Sequence, residues 1–106
     1  MAPDTATPMN DLMARVGYLF LHWGFLENRL RSKNGDLSSL RTRPDVQEAR
    51  RIRNLIAHGI INASAEGSSP SLLCKSNSGA KDERVTYEQL GGAIGALERA
   101  RFNLDT

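Results

Sequence analysis

The stretch Arg50-Arg51-Ile52-Arg53-Asn54-Leu55-Ile56-Ala57-His58-Gly59 carries the residue types with the most chemistry to offer. On a helix at about 100° per residue, Asn54 and His58 fall one turn apart on one face, and Arg53 lies on its flank. A permanently charged guanidinium is thereby brought near a titratable imidazole. Such a pair can cleave RNA. The ribose 2′-OH must lose a proton to attack the adjacent phosphorus, and the 5′-oxygen must gain one as it leaves. Imidazole, with a pKa near about 6.5, serves either step close to neutrality. Charge gathers on the non-bridging oxygens, where a guanidinium stabilises it through paired hydrogen bonds. Asn54 would hold the imidazole or a phosphate oxygen through its amide. The sequence has no cluster of His, Cys, Asp and Glu at ligand spacing, so the expected mechanism uses neither metal nor cofactor. The competing reading is structural: an Arg and a His at a helix end cap carbonyls and favour the helix dipole.

One histidine can act as base or as acid, whereas concerted cleavage benefits from both. Two chains about a two-fold axis would set two copies of Arg53 and His58 around one cleft. The first helix offers a docking surface: besides its core stripe it carries a second apolar stripe, Tyr18, Leu21 and Phe25. A homodimer through that stripe answers both observations. Glu27, one turn after Trp23, is expected to reach Arg53 or Arg50 as an orienting carboxylate, or to form a surface ion pair. His22 reads as a packed or interface histidine, and Cys74 as a small apolar residue with no base beside it.

The elements that position these groups are marked in the sequence. Thr7 and Pro8 suit a helix start, followed by Leu12, Val16, Leu19, Phe20, Trp23, Leu26 and Leu30 at helical spacing, with Asn34-Gly35 as a stop. Residues 35–43 read as a connection with a short helical turn near Leu37 and Leu40. Pro44 opens the next helix, Val46, Ala49, Ile52, Leu55 and Ile56 form its apolar side, and Gly59 is expected to end it. Ile60–Asn62 and Leu72–Lys75 are short β-prone pieces around a turn at Gly67–Pro70, either a small hairpin or an extended loop. Thr86 and Gln89 make a capping box for the last helix, with Val85 and Leu90 as its hydrophobic staple. Leu90, Ile94, Leu97, Ala100 or Arg101, and Leu104 are its expected buried stripe. Gly91, Gly92 and Gly95 each cost helix propensity of about 1 kcal/mol, which predicts close approach of another helix, the first one through Trp23 or Leu26.

A chain of 106 residues, 40% hydrophobic and 25% charged, has the makings of one globular domain, 1–106, with 1–7 as a disordered tail. No run approaches the roughly 18 apolar residues of a membrane span, and Met1–Thr7 lacks the features of a secretory signal. One cysteine excludes an internal disulfide and fits a reducing, cytoplasmic setting. The Asn62-Ala63-Ser64 glycosylation match reads as chance without such a signal. Net charge is only +2, but from Arg29 to Arg53 eight basic residues face three acidic ones. This local excess includes Arg43, Arg50 and Arg51 as candidate RNA contacts. A solvated helix face with internal ion pairs would show the same charge.

Arg53-Asn54-Leu55-Ile56-Ala57-His58 resembles the Arg-x4–6-His signature of HEPN domains, including the polar residue just after the arginine. The long first helix with Trp23 and Glu27, Gly59 after the motif and a final amphipathic helix also fit that resemblance, which runs from about Asn10 to Leu104. The motif is its specific part. The resemblance implies an all-α fold, a compact antiparallel bundle of about four helices, with a short extended or hairpin insert before the last. It also implies a dimer whose cleft cuts RNA, with Arg53 and His58 catalytic and Asn54 supporting them. Members of the family act in toxin–antitoxin pairs, defence and RNA processing, so an antitoxin protein is a further partner to expect. Some members are inactive, which keeps open a dimer that binds RNA, nucleotide or protein without turnover, and a purely structural adaptor. One departure stands out: toxins controlled by nucleotidyltransferase antitoxins often carry a Tyr two residues after the histidine, and here Ile60 occupies that position.

Overall fold

A computed structural model describes residues 8–32, 43–65, 70–76 and 81–105. Helix α1, Pro8–Ser32, begins at a proline, whose missing N–H is no loss in a first helical turn. It buries Leu12, Leu19, Trp23, Leu26 and Leu30, with Val16 and Phe20 half-buried beside them. Helix α2, Pro44–His58, also begins at a proline, after an extended Arg43. Its cap comes from inside the first turn, where Asp45 Oδ1 accepts the Val46 N–H at 2.8 Å. Val46, Ala49, Ile52 and Ile56 are its buried side.

Three strands follow: β1, Ile60–Ser64; β2, Ser71–Cys74; and β3, Glu83–Thr86. They form an antiparallel meander in the order β1-β2-β3, with Ser64 opposite Ser71, Leu72 opposite Val85 and an irregularity between Ile60 and Asn62. Leu72, Cys74 and Val85 point into the core.

Helix α3, Tyr87–Asp105, starts from the capping box expected of it. Gln89 Oε1 accepts the Thr86 N–H at 2.8 Å, and the Gln89 N–H donates to Thr86 Oγ1 at 3.1 Å. Val85 and Leu90, the two residues of the staple, are both buried. α3 packs against both α1 and α2. Its buried side is broader than the expected stripe: Ala93 and Ala96 join Leu90, Leu97 and Ala100, while Ile94 and Leu104 are half-buried.

The all-α expectation is overturned. Among the described residues there are three helices and a three-stranded sheet, a mixed α/β domain and not a bundle of about four helices. The segment after α2 is more than an insert, because its pairing with β3 completes a sheet whose inner side belongs to the core. β3 has one apolar residue in four, Val85, so alternation hardly marks it. Its partner strand defines it. The expected helical turn near Leu37 and Leu40, the Thr7 cap, the Asn34-Gly35 stop and the tail 1–7 lie outside the described residues.

α2 does end at His58 with Gly59 as its C-cap, as expected, but the reason for that end differs, and so does the expectation for the glycines of α3. Gly59 has φ 167° and ψ 124°, extended backbone open to any residue, and a Cβ there would meet nothing within 4 Å. The turn from α2 comes from pairing, since the Gly59 carbonyl accepts the Lys75 N–H at 3.0 Å. Of the three α3 glycines, Gly91 alone has a close neighbour on α1, and that neighbour is Arg15 rather than Trp23 or Leu26. A Cβ at Gly91 would stand 3.1 Å from Arg15 Cζ, whereas one at Gly92 would meet nothing. The Arg15 guanidinium lies 3.5 Å from the Tyr87 ring centroid and donates to the Tyr87 carbonyl at 2.9 Å, joining α1 to α3.

Candidate functional site

Helical geometry sorts the polar residues of α2. Asn54 and His58 share an outward stripe with Arg50, and all three are exposed. Arg53 lies about 100° round the helix from Asn54, toward the core side, and is half-buried.

Arg53 is the best-organised group of the set. Its guanidinium carbon lies 5.6 Å from the Phe20 ring centroid and 5.7 Å from that of Trp23, so the head group rests over two aromatic side chains of α1. Arg53 Nη1 donates to Asn54 Oδ1 at 3.0 Å, turning the guanidinium toward the outward stripe. Arg53 Nε is buried and has no hydrogen-bond partner among the described residues. Buried donors are nearly always paired, because leaving one unmade costs about 1–3 kcal/mol. That atom is closed to solvent, so an anion from outside would accept from it only after the side chain shifts.

His58 stands at the end of α2, one turn beyond Asn54, and its side chain has no hydrogen-bond partner among the described residues. Arg53 and His58 are five residues apart, so their side chains leave the helix about 140° from each other. Asn54 lies between them, and among the described residues its side chain is hydrogen-bonded to Arg53 alone. Within one chain the site holds an oriented guanidinium–amide pair and a separate imidazole.

The other expected residues divide. Arg50 is exposed and makes no hydrogen bond or ion pair among the described residues. Arg51 is engaged: Nη2 meets Glu48 Oε2 at 2.7 Å, and Nη1 meets both oxygens of Glu83 at 2.7 and 2.8 Å. Arg51 therefore ties α2 to β3, and its hydrogen bond holds the Glu48 carboxyl below the usual range. Arg43 Nη2 lies 3.5 Å from Asp45 Oδ2. Glu27 is half-buried and pairs with neither Arg53 nor Arg50 among the described residues. Glu83, which takes Arg51, and the aromatic seat under Arg53 were not marked as site residues in the sequence. Glu83 sits in a strand that the pattern hardly shows, and Phe20 and Trp23 read simply as core.

Tyr18, Leu21 and Phe25 are 54%, 53% and 45% exposed, so the second stripe of α1 is an open face of this chain. Arg101 covers one side of Phe25 at 5.0 Å, and His22 meets its edge while lying 3.9 Å from Glu98. Cys74 is buried, and burial followed by the charge of Glu83 pushes its thiol pKa up, which makes it a poor nucleophile. Among the described residues no three His, Cys, Asp or Glu side chains are grouped to hold a metal ion. No described helix is long and apolar enough to cross a membrane.

Comparison with models of protein families, with curated proteins and with solved structures found no match to this chain.

Proposed function

We propose that this chain binds RNA and cleaves it without a metal ion, as a homodimer. Arg53 stabilises the charge on the phosphate, Asn54 orients the guanidinium, and His58 transfers protons. The observation that carries this reading is the state of Arg53. Its guanidinium is seated on Phe20 and Trp23 and steered by Asn54, with a buried Nε that lacks an acceptor. In the transition state of 2′-OH attack a non-bridging phosphate oxygen would accept from the guanidinium's remaining Nη donors, or from Nε after a shift of the side chain. The Arg-x4-His spacing is that of HEPN ribonucleases, a likeness borne by the motif and the flanking helices and not by the sheet. A role in defence or with an antitoxin rests on that likeness alone.

The divergence of Arg53 and His58 around α2 favours catalysis between two copies. With Tyr18, Leu21 and Phe25 open on α1, the chain also gains burial by pairing with a copy of itself. α1 also bears the aromatic seat of Arg53, but Phe20 and Trp23 leave the helix about 160° round from Tyr18, Leu21 and Phe25, so a seam on that stripe lies on the other side of α1 from the guanidinium.

Incubation with single-stranded RNA in EDTA is the test. Wild type should give products ending in 2′,3′-cyclic phosphate, and His58→Ala should not. RNA left equally intact by both proteins refutes catalysis. One observation favours a second reading, binding without turnover: among the described residues no hydrogen bond or ion pair orients His58. That reading expects RNA to bind and stay whole, with binding lost in Arg53→Ala.

A further inference from the structure

We propose that the hollow between the start of α2 and the end of α3 is a second nucleotide subsite, taking one base of single-stranded RNA on the Phe102 ring and its phosphate between Arg43 and Arg99. This inference rests on the RNA reading above and extends it to a part of the surface away from Arg53. Phe102 is 66% exposed, more than Tyr18, Leu21 or Phe25. It leaves α3 about 140° round from the buried Leu97, so it takes no part in the core. The ring is free for a planar partner, and base–aromatic stacking accepts any base.

Beside the ring stand two guanidiniums from distant parts of the sequence. Arg43 Nη2 and Arg99 Nη2 reach the same carboxylate oxygen, Asp45 Oδ2, at 3.5 and 3.3 Å. Asp45 is itself anchored, its other oxygen accepting the Val46 N–H at 2.8 Å. One carboxylate therefore holds two arginines side by side, and each contact uses only one nitrogen of a five-donor fork. Arg43, Arg99, Phe102, Asn103 and Glu98 line a concavity of about 450 Å³, within the size of small-ligand sites. Glu98, the acid on its rim, lies 3.9 Å from His22 on α1. An apolar ring with two arginines beside it matches the two halves of a nucleotide. Simple neutralisation of a polyanion would use the arginines and leave the ring idle.

The spacing also suits one strand. Arg43 stands just before α2 and ten residues from Arg53, about 15 Å along the axis, or about four nucleotides at a stacked spacing near 3.4 Å. A strand held at Phe102 would reach the guanidinium of Arg53 a few nucleotides on.

The test is fluorescence anisotropy of a labelled uridine dodecamer with the full chain and four variants: Phe102→Ala, Phe102→Trp, Arg43→Ala with Arg99→Ala, and Arg53→Ala. Phe102→Ala should weaken binding about five- to hundredfold, the span that loss of one stacked base gives. The double arginine variant should weaken it and flatten its salt dependence. Phe102→Trp should retain affinity and show tryptophan quenching on RNA addition beyond that of wild type. If Arg53→Ala weakens binding while the Phe102 and arginine variants match wild type, the subsite is wrong and the RNA reading stands. If Phe102→Ala changes only the oligomeric state in solution, the ring serves a protein contact and the subsite is likewise wrong. If wild type binds no dodecamer, both readings fall.

Discussion

Replacing Arg53 with alanine separates its role in the fold from its role in function, and the structure sets the size of each. The two ring contacts lie at 5.6 and 5.7 Å, near the outer limit of about 6 Å for cation–π attraction, so each contributes about 0.5 kcal/mol. The exposed hydrogen bond to Asn54 adds about 0.5 kcal/mol. Against these, the substitution removes a buried donor with no acceptor, which relieves about 1 kcal/mol or more. The net loss of stability should stay within about 1 kcal/mol, a fall in Tm of no more than about 8 °C. Urea unfolding followed by the fluorescence of Trp23, the chain's one tryptophan, reports this directly because the guanidinium lies over that ring. RNA affinity, by contrast, should fall about tenfold or more, since a charge-assisted contact to phosphate contributes about 1.5–3 kcal/mol. A stability loss above about 3 kcal/mol with RNA affinity intact would mean that Arg53 is a packing residue and that the reasoning from its unpaired Nε is wrong.

The glycines of α3 should part company in thermal unfolding. Gly92→Ala has open space and should stabilise by about 0.5–1 kcal/mol. Gly91→Ala should lose that gain and more by driving Arg15 off Tyr87, and Gly59→Ala should stay within about 0.5 kcal/mol. Acid titration of stability tests the Arg51 link. Glu48 ionises below its ordinary range, so the folded state binds fewer protons than the unfolded one there. Its contribution is complete above the ordinary carboxylate pKa of about 4.3 and is lost as pH falls through the lower folded value. The exposure of the pair limits it to below about 1 kcal/mol, and Glu48→Gln should flatten that part of the curve.

What the sequence made legible was local. The α1 stripe from Leu12 to Leu30, the proline at the head of α2 and the Thr86–Gln89 box depend on residues within a turn or two of each other, so period and side-chain chemistry suffice. What it hid was set by partners far along the chain. Arg15 and Tyr87 are 72 positions apart, and no local pattern connects Gly91 to them. Arg51 finds Glu83 at 32 positions' distance, so the basic run could not reveal which of its members were already paired. β3 exists because β2 lies beside it. At the candidate site, the motif singled out Arg53, Asn54 and His58 as the proposed group, but helical spacing alone does not tell whether a long arginine leans inward or outward. The aromatic seat on α1 decides that, and it leaves the guanidinium and the imidazole on different sides of α2.

That divergence allows a direct test. Arg53→Ala and His58→Ala chains, each inactive alone, should be mixed after partial unfolding and refolding and assayed for RNA cleavage in EDTA. If each site pairs Arg53 of one copy with the single His58 of the other, and not two histidines in one cleft, half of the dimers are mixed and each holds one of two sites intact, restoring about a quarter of wild-type activity. A cleft that needs both histidines would stay inactive. Activity that stays at the level of the separate variants, with mixed dimers present, would contradict such a one-histidine site shared between two copies.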